Sequence, residues 1–268
     1  MTGNIGSGFR SVDGELFSKL LHCLDFMNEL AFFKAYKSHS WRSLLIAPEQ
    51  VILDVACGTG SDLIHLAEAY RNTNFVGVDN SEKFLAIARE RAACAANLKF
   101  MLGDGHRLPL VDHSVDAARI DRSLQHMENP EAVLAEMVRV TKRGGRIVTC
   151  EPDWETFVLF NGEFDDSSKI AGLFKRSIRN PFIGRELASL MNECGVKHLD
   201  AHVHTFWTNK LNDADVIFDL NKVKDQCAAA GMMTQDDADT WWALSKQASE
   251  RDTFFASLCI MEVSGTTE

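Results

Sequence analysis

Leu16, Phe17, Leu20, Leu21, Leu24, Met27 and Leu30 recur at helical spacing, and a helix is predicted over 16–30. A second helical stretch is predicted over about 32–45, leading to Pro48. Beyond it the rhythm changes. Short apolar runs begin at Val51 (VILDV), Asn74 (NFVGVD), Leu98 (LKFMLGD), Val115 (VDAARID) and Gly145 (GRIVTCEPD), each of strand length. Between them, segments such as 81–94 and 130–141 place their apolar residues on one helical face. The second is punctuated: Asn129 can cap it, Pro130 suits its first position, and Arg143-Gly144-Gly145 is predicted to end it. Strands alternating with crossover helices predict an α/β fold with a parallel sheet and helices on both faces.

After Asp153 the alternation loosens. Ile170, Leu173, Phe174 and Ile178 mark one amphipathic helix; Leu187, Leu190, Met191 and Cys194 mark another that stops at Gly195. A strand is predicted near 197–203, then two helices within about 205–253. One carries Val216, Ile217 and Leu220, and the other opens at Thr234 with Asp237 three residues on, close to a capping box. A last strand is predicted from Phe255 to Val263. The domain reading is an N-terminal helical cap over 1–47 and an α/β domain over 48–268, with helical insertions at about 155–195 and 205–253.

Composition narrows the function classes. With 46% apolar and 25% charged residues in 268, the chain is globular in character. The net charge of −10 repels polyanions, and no Lys/Arg cluster is interleaved with aromatics, so a nucleic-acid substrate is not expected. No apolar run approaches 18 residues and no basic leader follows Met1, which predicts a soluble, cytoplasmic protein without a membrane partner. The seven cysteines are odd in number and lack a CxxC pair, as expected of reduced thiols. Nothing in the sequence sets the oligomeric state, monomer or homodimer.

The acids fall at the predicted strand ends, where ligands sit in a parallel sheet. Asp54, Asp79, Asp104 and Asp121 follow the first four strands, and Glu151 and Asp153 the fifth. Asp79 lies about 20 residues beyond the loop VACGTGSD and is placed to accept from a ribose diol. That loop reads G-T-G-S-D, with Leu63 where a dinucleotide loop has its third glycine. Asp62 at the helix start would repel a pyrophosphate. A ligand with a ribose, a base and a cationic amino-acid end suits the loop better than a dinucleotide.

These residues resemble class I S-adenosylmethionine-dependent methyltransferases. LDVACGTG is similar to their motif I, GVDNS to the acidic loop, LGDGHRLPL to the stretch flanking the adenine, and RSLQHMENP and KRGGRIVTCEPDW to the later motifs. The likeness is closest to the ubiquinone/menaquinone-methyltransferase-like small-molecule subgroup. It is strong over about 36–154 and looser beyond.

The resemblance implies a Rossmann-like seven-stranded sheet and S-adenosylmethionine as cofactor. Gly58 and Gly60 would let the backbone approach the methionine moiety, with Asp54 near its ammonium. Asp79 would take the ribose, Asn80 would flank the adenine, and Asp104 with Gly105 would meet its amino group. Tyr36 and Lys37 would close over the carboxylate. It also implies that a small-molecule acceptor, natural-product or quinone-like, receives the methyl on N, O or C. One departure is the long helical insertion between the last two strands, which such folds normally join in a close hairpin.

Several side chains keep two readings. His126 is a candidate general base or a structural histidine. Asp121, a catalytic candidate, and Arg122, a cofactor-side candidate, either pair with each other or flank the site. Glu151 and Asp153, the latter a catalytic candidate, form with Trp154 a rim for the acceptor or part of a tight turn, and Asn180 and Arg185 are acceptor-side candidates or loop structure. His202 and His204 face the same way on a strand, but no carboxylate or thiol partner stands at matching spacing, so no metal site is predicted. Two rivals remain: a nicotinamide-dependent oxidoreductase, and a non-catalytic cofactor-binding protein.

Overall fold

The chain alternates strand and helix as its apolar pattern requires. A computed structural model describes residues 3–9, 13–93 and 95–268. Its elements are α1 (Ile5–Gly8), α2 (Phe17–Glu29), α3 (Ala31–Ser43), β1 (Val51–Val55), α4 (Ser61–Ala69), β2 (Asn74–Asp79), α5 (Glu82–Arg91) and β3 (Leu98–Leu102). Then come β4 (Val115–Asp121), α6 (Pro130–Val140), β5 (Thr141–Phe160), α7 (Phe164–Ser177), α8 (Ile183–Glu193) and β6 (Val196–Thr208). The last are α9 (Leu211–Phe218), α10 (Leu220–Ala229), α11 (Gln235–Glu250) and β7 (Phe255–Thr267).

One seven-stranded sheet has the order β3-β2-β1-β4-β5-β7-β6. The first five strands are parallel, and β7 runs antiparallel to both β5 and β6. Because strand side chains alternate, β1 and β4 feed two cores. Ile52 and Ala117 face the layer of α2, α3 and α4, whereas Leu53, Val55, Ala118 and Ile120 face α6 and α8. The chain order reverses between β1 and β4, so the loops after these strands diverge and leave a crevice at their carboxyl ends.

Several predicted ends move. The helix α6 begins as expected, with the Asn129 side chain accepting from the Ala132 N–H at 3.0 Å and Pro130 in the first turn. It ends at Val140 rather than at the glycines, because β5 already starts at Thr141. The strand β5 then continues through the expected turn to Phe160, as Val158, Leu159 and Phe160 resume pairing with β7 after a register shift. The first helical insertion therefore starts at Phe164 rather than near 155. The predicted pair of later helices is three, since Asp219 in the left-handed region (φ 56°) breaks α9 from α10. Helix α11 carries the expected capping box between Thr234 and Asp237. The helix predicted over 81–94 ends at Arg91, and Cys94 lies outside the described residues. The short α1 had no periodicity to announce it.

Candidate functional site

A cavity of about 470 Å³ opens at the crevice. Its polar end is built by the loops after β1 to β4. Asp54, Gly58, Thr59, Asp62, Asp79, Asn80, Asp104 and Gly105 all line it, with Lys37, Arg119 and Arg122 behind them. Its other end is apolar, walled by Phe9, Trp154, Phe174, Phe206 and Phe218 with Ile217 and Leu258.

The glycine loop is shaped by left-handed backbone at Gly58 (φ 56°) and Gly60 (φ 70°), which glycine adopts without steric cost. A Cβ at Gly60 would lie 2.5 Å from the Phe100 ring, so that position is closed. A Cβ at Gly58 would meet only Leu24, at 4.0 Å, and would project into the cavity. Asp79 orders the same loop: one oxygen accepts the Gly58 N–H and the other the Ser81 N–H, both at 2.8 Å. Burial raises the Asp79 carboxyl above its ordinary range, against the pull of these N–H groups. The open cradle at Gly58 beside Asp79 and Asn80 fits a nucleoside with an amino-acid arm. Asp104 also borders it, with one oxygen turned toward His106.

The acids of the loop are not uncompensated, as the sequence suggested. Arg119 is the cross-strand neighbour of Asp54 in the β1–β4 register, and its side chain is buried. Its guanidinium lies 3.3 Å from Asp54, 3.1 Å from Asp62 and 3.1 Å from Asp121. Lys37 reaches Asp62 at 2.8 Å and Asn28 at 2.8 Å. Burial pushes the Asp62 carboxyl up, but Lys37 and Arg119 outweigh it and hold it at about 2. For Asp54 burial prevails over Arg119, with Asp62 and Asp121 adding like charge, and the carboxyl rises to about 7. Asp54 therefore sits poised between charged and neutral.

Tyr36, expected over the cofactor, lies behind the cavity wall. Its hydroxyl sits 3.0 Å from each Asp121 oxygen, and Asp121 also pairs with Arg119 and, at 3.6 Å, with Arg122. Asp121 lines the cavity but is held by these three groups. His126 lines it too, in a short 3-10 turn over Leu124–His126, with its ring stacked 5.2 Å from that of Phe9.

That turn is pinned by residues that the sequence left open between the acceptor side and loop structure. Glu151, fully buried, accepts the N–H groups of Ser123 and Leu124 at 2.7 Å and of Gln125 at 3.3 Å. Asn180 donates to the carbonyls of Leu124 and Met127, and the Trp154 indole donates to Gln125 at 2.8 Å. Asn180 thus supports the turn and does not reach the cavity. Arg185 and Asp153 form a two-pronged ion pair beside it, both bonds 2.9 Å, and neither lines the cavity. Trp154 serves both roles, bracing the turn and walling the apolar end.

Sequence reasoning missed Arg119 as a site builder, and it read Glu151 as a rim group where the structure has it holding the turn. A lone arginine inside a strand otherwise buried was the available signal, since such a charge is kept only with partners.

Comparison with known proteins follows the same lines. Residues 46–194 match the family model of a methyltransferase domain. Demethylmenaquinone methyltransferase of Bacillus licheniformis is 32% identical over 212 residues, 71% of this chain and 90% of that protein. An uncharacterized 37.1 kDa protein of a Streptomyces fradiae transposon is 33% identical over 210 residues, 78% of this chain and 61% of that protein. Among solved structures, phosphoethanolamine N-methyltransferase 2 from Haemonchus contortus, in complex with S-adenosylmethionine, has the same fold. Its TM-score is 0.62 at 14% identity, covering 97% of this chain and 60% of that one. The oxidoreductase rival finds no support among these relatives. The chain belongs to the methyltransferase domain family, whose methyl donor is S-adenosylmethionine.

Proposed function

We propose that the protein transfers a methyl group from S-adenosylmethionine to a flat, apolar small molecule of quinone-like character. The observation that carries this reading is the two-part cavity, in which the ordered glycine loop and its acids face an aromatic wall across one shared space. A volume of about 470 Å³ lies within the usual range for small-molecule sites. The B. licheniformis relative, named for a naphthoquinone-type substrate, supports the same acceptor class.

In this reading Gly58, Asp79, Asn80, Asp104 and Gly105 hold the nucleoside, Gly60 shapes the loop from behind, and Asp54 with Lys37 and Arg122 faces the amino-acid arm. S-adenosylmethionine, when bound, supplies an activated methyl on a sulfonium. The chain's part is to exclude water and to align the acceptor behind that methyl, which lowers the barrier by proximity and orientation. Trp154 and its aromatic neighbours orient a planar acceptor. His126 faces the cavity as the group placed to take a proton from an acceptor hydroxyl. Asp121, engaged by Tyr36 and two arginines, orients and does not act as a base. Asn180 braces the turn from outside, and Asp153 and Arg185 hold each other away from the cavity. Among the described residues no helix is long and apolar enough to cross a membrane.

Incubation with methyl-labelled S-adenosylmethionine and a panel of naphthoquinols, phenols and alkyl amines tests the proposal. Label is expected on the quinols and phenols, and transfer confined to the amines would refute the acceptor class. Binding to the cofactor product, S-adenosylhomocysteine, gives two further expectations. Asp79→Ala weakens it by about 1–3 kcal/mol, the scale of losing hydrogen bonds to a buried carboxylate. Unchanged affinity by calorimetry would place the ribose elsewhere. The second concerns pH. With Asp54 near 7, binding that draws on its carboxylate should weaken as pH falls below 7, by up to about tenfold per unit, and level off above it. Asp54→Asn should flatten that profile, and a wild-type profile that is already flat from pH 6 to 8 would remove Asp54 from the site.

A further inference from the structure

We propose that His39, His204 and Glu262 form a binding site for a divalent transition-metal ion, with zinc the best match. The site lies on the sheet face that carries the cavity's Phe206, Leu258 and Ile260, two to four residues farther along β6 and β7, beneath α3.

Three elements converge there. His39 comes from α3, His204 from β6 and Glu262 from β7. The His39 Nδ1 lies 2.9 Å from Glu262 Oε2, and the His204 Nε2 lies 2.8 Å from the same oxygen. All three ligand atoms fall within 4.8 Å of one another. The other carboxylate oxygen accepts from the Ser43 hydroxyl at 2.6 Å, which fixes the plane of the carboxylate. A hydrogen bond of that kind, behind a ligand, is the usual device for aiming a metal-binding carboxylate.

Charge supports the assignment. The Glu262 side chain is fully buried, and among the described residues no lysine or arginine nitrogen lies within 4.0 Å of it. Only the two imidazoles face it at ion-pairing distance. A carboxylate withdrawn from water needs a counter-charge or a set of donors. A divalent ion supplies that charge at the point where two imidazole nitrogens and one carboxylate oxygen already converge. Each histidine then binds through the nitrogen now facing Glu262 and carries its proton on the other.

Two imidazoles and a carboxylate suit zinc, which takes three protein ligands and keeps a fourth position for water. His39 is 31% exposed, so the site can be reached from solvent. Magnesium and calcium prefer all-oxygen sets. His202 lies beside the site, its ring 4.4 Å from that of His39, but its nitrogen is turned to Asp200.

The ion would staple α3 to the sheet. That helix carries Tyr36 and Lys37, which hold Asp121 and Asp62 in the cavity wall. The metal would thus act at a distance from the reacting atoms, as a structural clamp.

The test is zinc binding to the full chain after chelator treatment and dialysis. Calorimetric titration with zinc sulfate is expected to show one equivalent bound at micromolar affinity or tighter, with a rise in Tm. His39→Ala and Glu262→Gln should each weaken binding about tenfold or more. His202→Ala should retain it. His39 is partly exposed, so its variant decides the matter even where Glu262→Gln does not fold. Absence of saturable binding in the wild type would overturn the proposal. So would binding that survives His39→Ala, or wild-type binding that is lost on thiol alkylation.

Discussion

Arg119→Met is expected to lower stability by about 3–5 kcal/mol, the largest single loss among the site residues. The substitution keeps most of the side-chain volume and removes one positive charge from the centre of Asp54, Asp62 and Asp121. Lys37 and Arg122 remain, but neither bridges all three carboxylates. The largely buried acids would then repel one another with less compensation. Their carboxyls would rise, so the deficit should be greatest at neutral pH and shrink as pH falls toward the carboxylate range, where the acids take up protons. Chemical denaturation at pH 7 and pH 5 measures both effects. Arg119→Met with Asp121→Asn should recover part of the loss, because removing one carboxylate restores the balance. A wild-type unfolding midpoint in the single variant would show that the arginine contributes no net stability.

Glu151→Ala should cost about 3 kcal/mol. Three backbone N–H groups lose their acceptor in a site where Glu151 is fully buried, and each unsatisfied buried donor costs about 1–3 kcal/mol, less than additively. The effect on chemistry should be selective. The turn bearing His126 loosens, while the glycine loop and Asp79 stay in place, so turnover should fall further than affinity for S-adenosylhomocysteine. A variant in which that affinity falls and turnover per bound cofactor is kept would contradict this division. Burial pushes the Glu151 carboxyl from its ordinary 4.5 up to about 8, against the pull of the Leu124 and Ser123 N–H groups. The folded state therefore holds a proton that the unfolded chain releases, and stability should decline as pH rises from about 4.5 to 8, then level off. Glu151→Gln should remove that slope.

The sheet was readable because its strands carry period-2 or continuous apolar runs ending in acids, and its helices have local punctuation. Asn129-Pro130 and Thr234 with Asp237 are signals within one turn of chain, and both appear where the spacing put them. What the sequence could not show depends on neighbours brought from afar. The extension of β5 to Phe160 rests on pairing with β7, nearly a hundred residues later. Asp219 breaks a helix through one backbone angle that its side chain tolerates but does not announce. Part of the candidate site was legible in the same way. Asp79, Gly58 and Gly60 could be placed by spacing from a strand, whereas the engagement of Asp54 by Arg119 needs the β1–β4 register. Asn180 and Arg185, candidates for the acceptor side, turn instead to the loop and to Asp153, a choice made by packing and not by spacing.

The place of β7 bears on how the molecule is made. It comes after the other six strands in the chain, yet it sits inside the sheet between β5 and β6, and among the described residues β6 pairs with it alone. During synthesis the five parallel strands can associate first, but β5 then presents a bare edge and β6 has nowhere to dock until 255–267 arrives. Such long-range pairing is slow to form and leaves sticky backbone exposed in the meantime. The cofactor end of the cavity can therefore form with the parallel strands, whereas its apolar wall, which takes Phe206 from β6 and Leu258 and Ile260 from β7, closes only once β7 has paired.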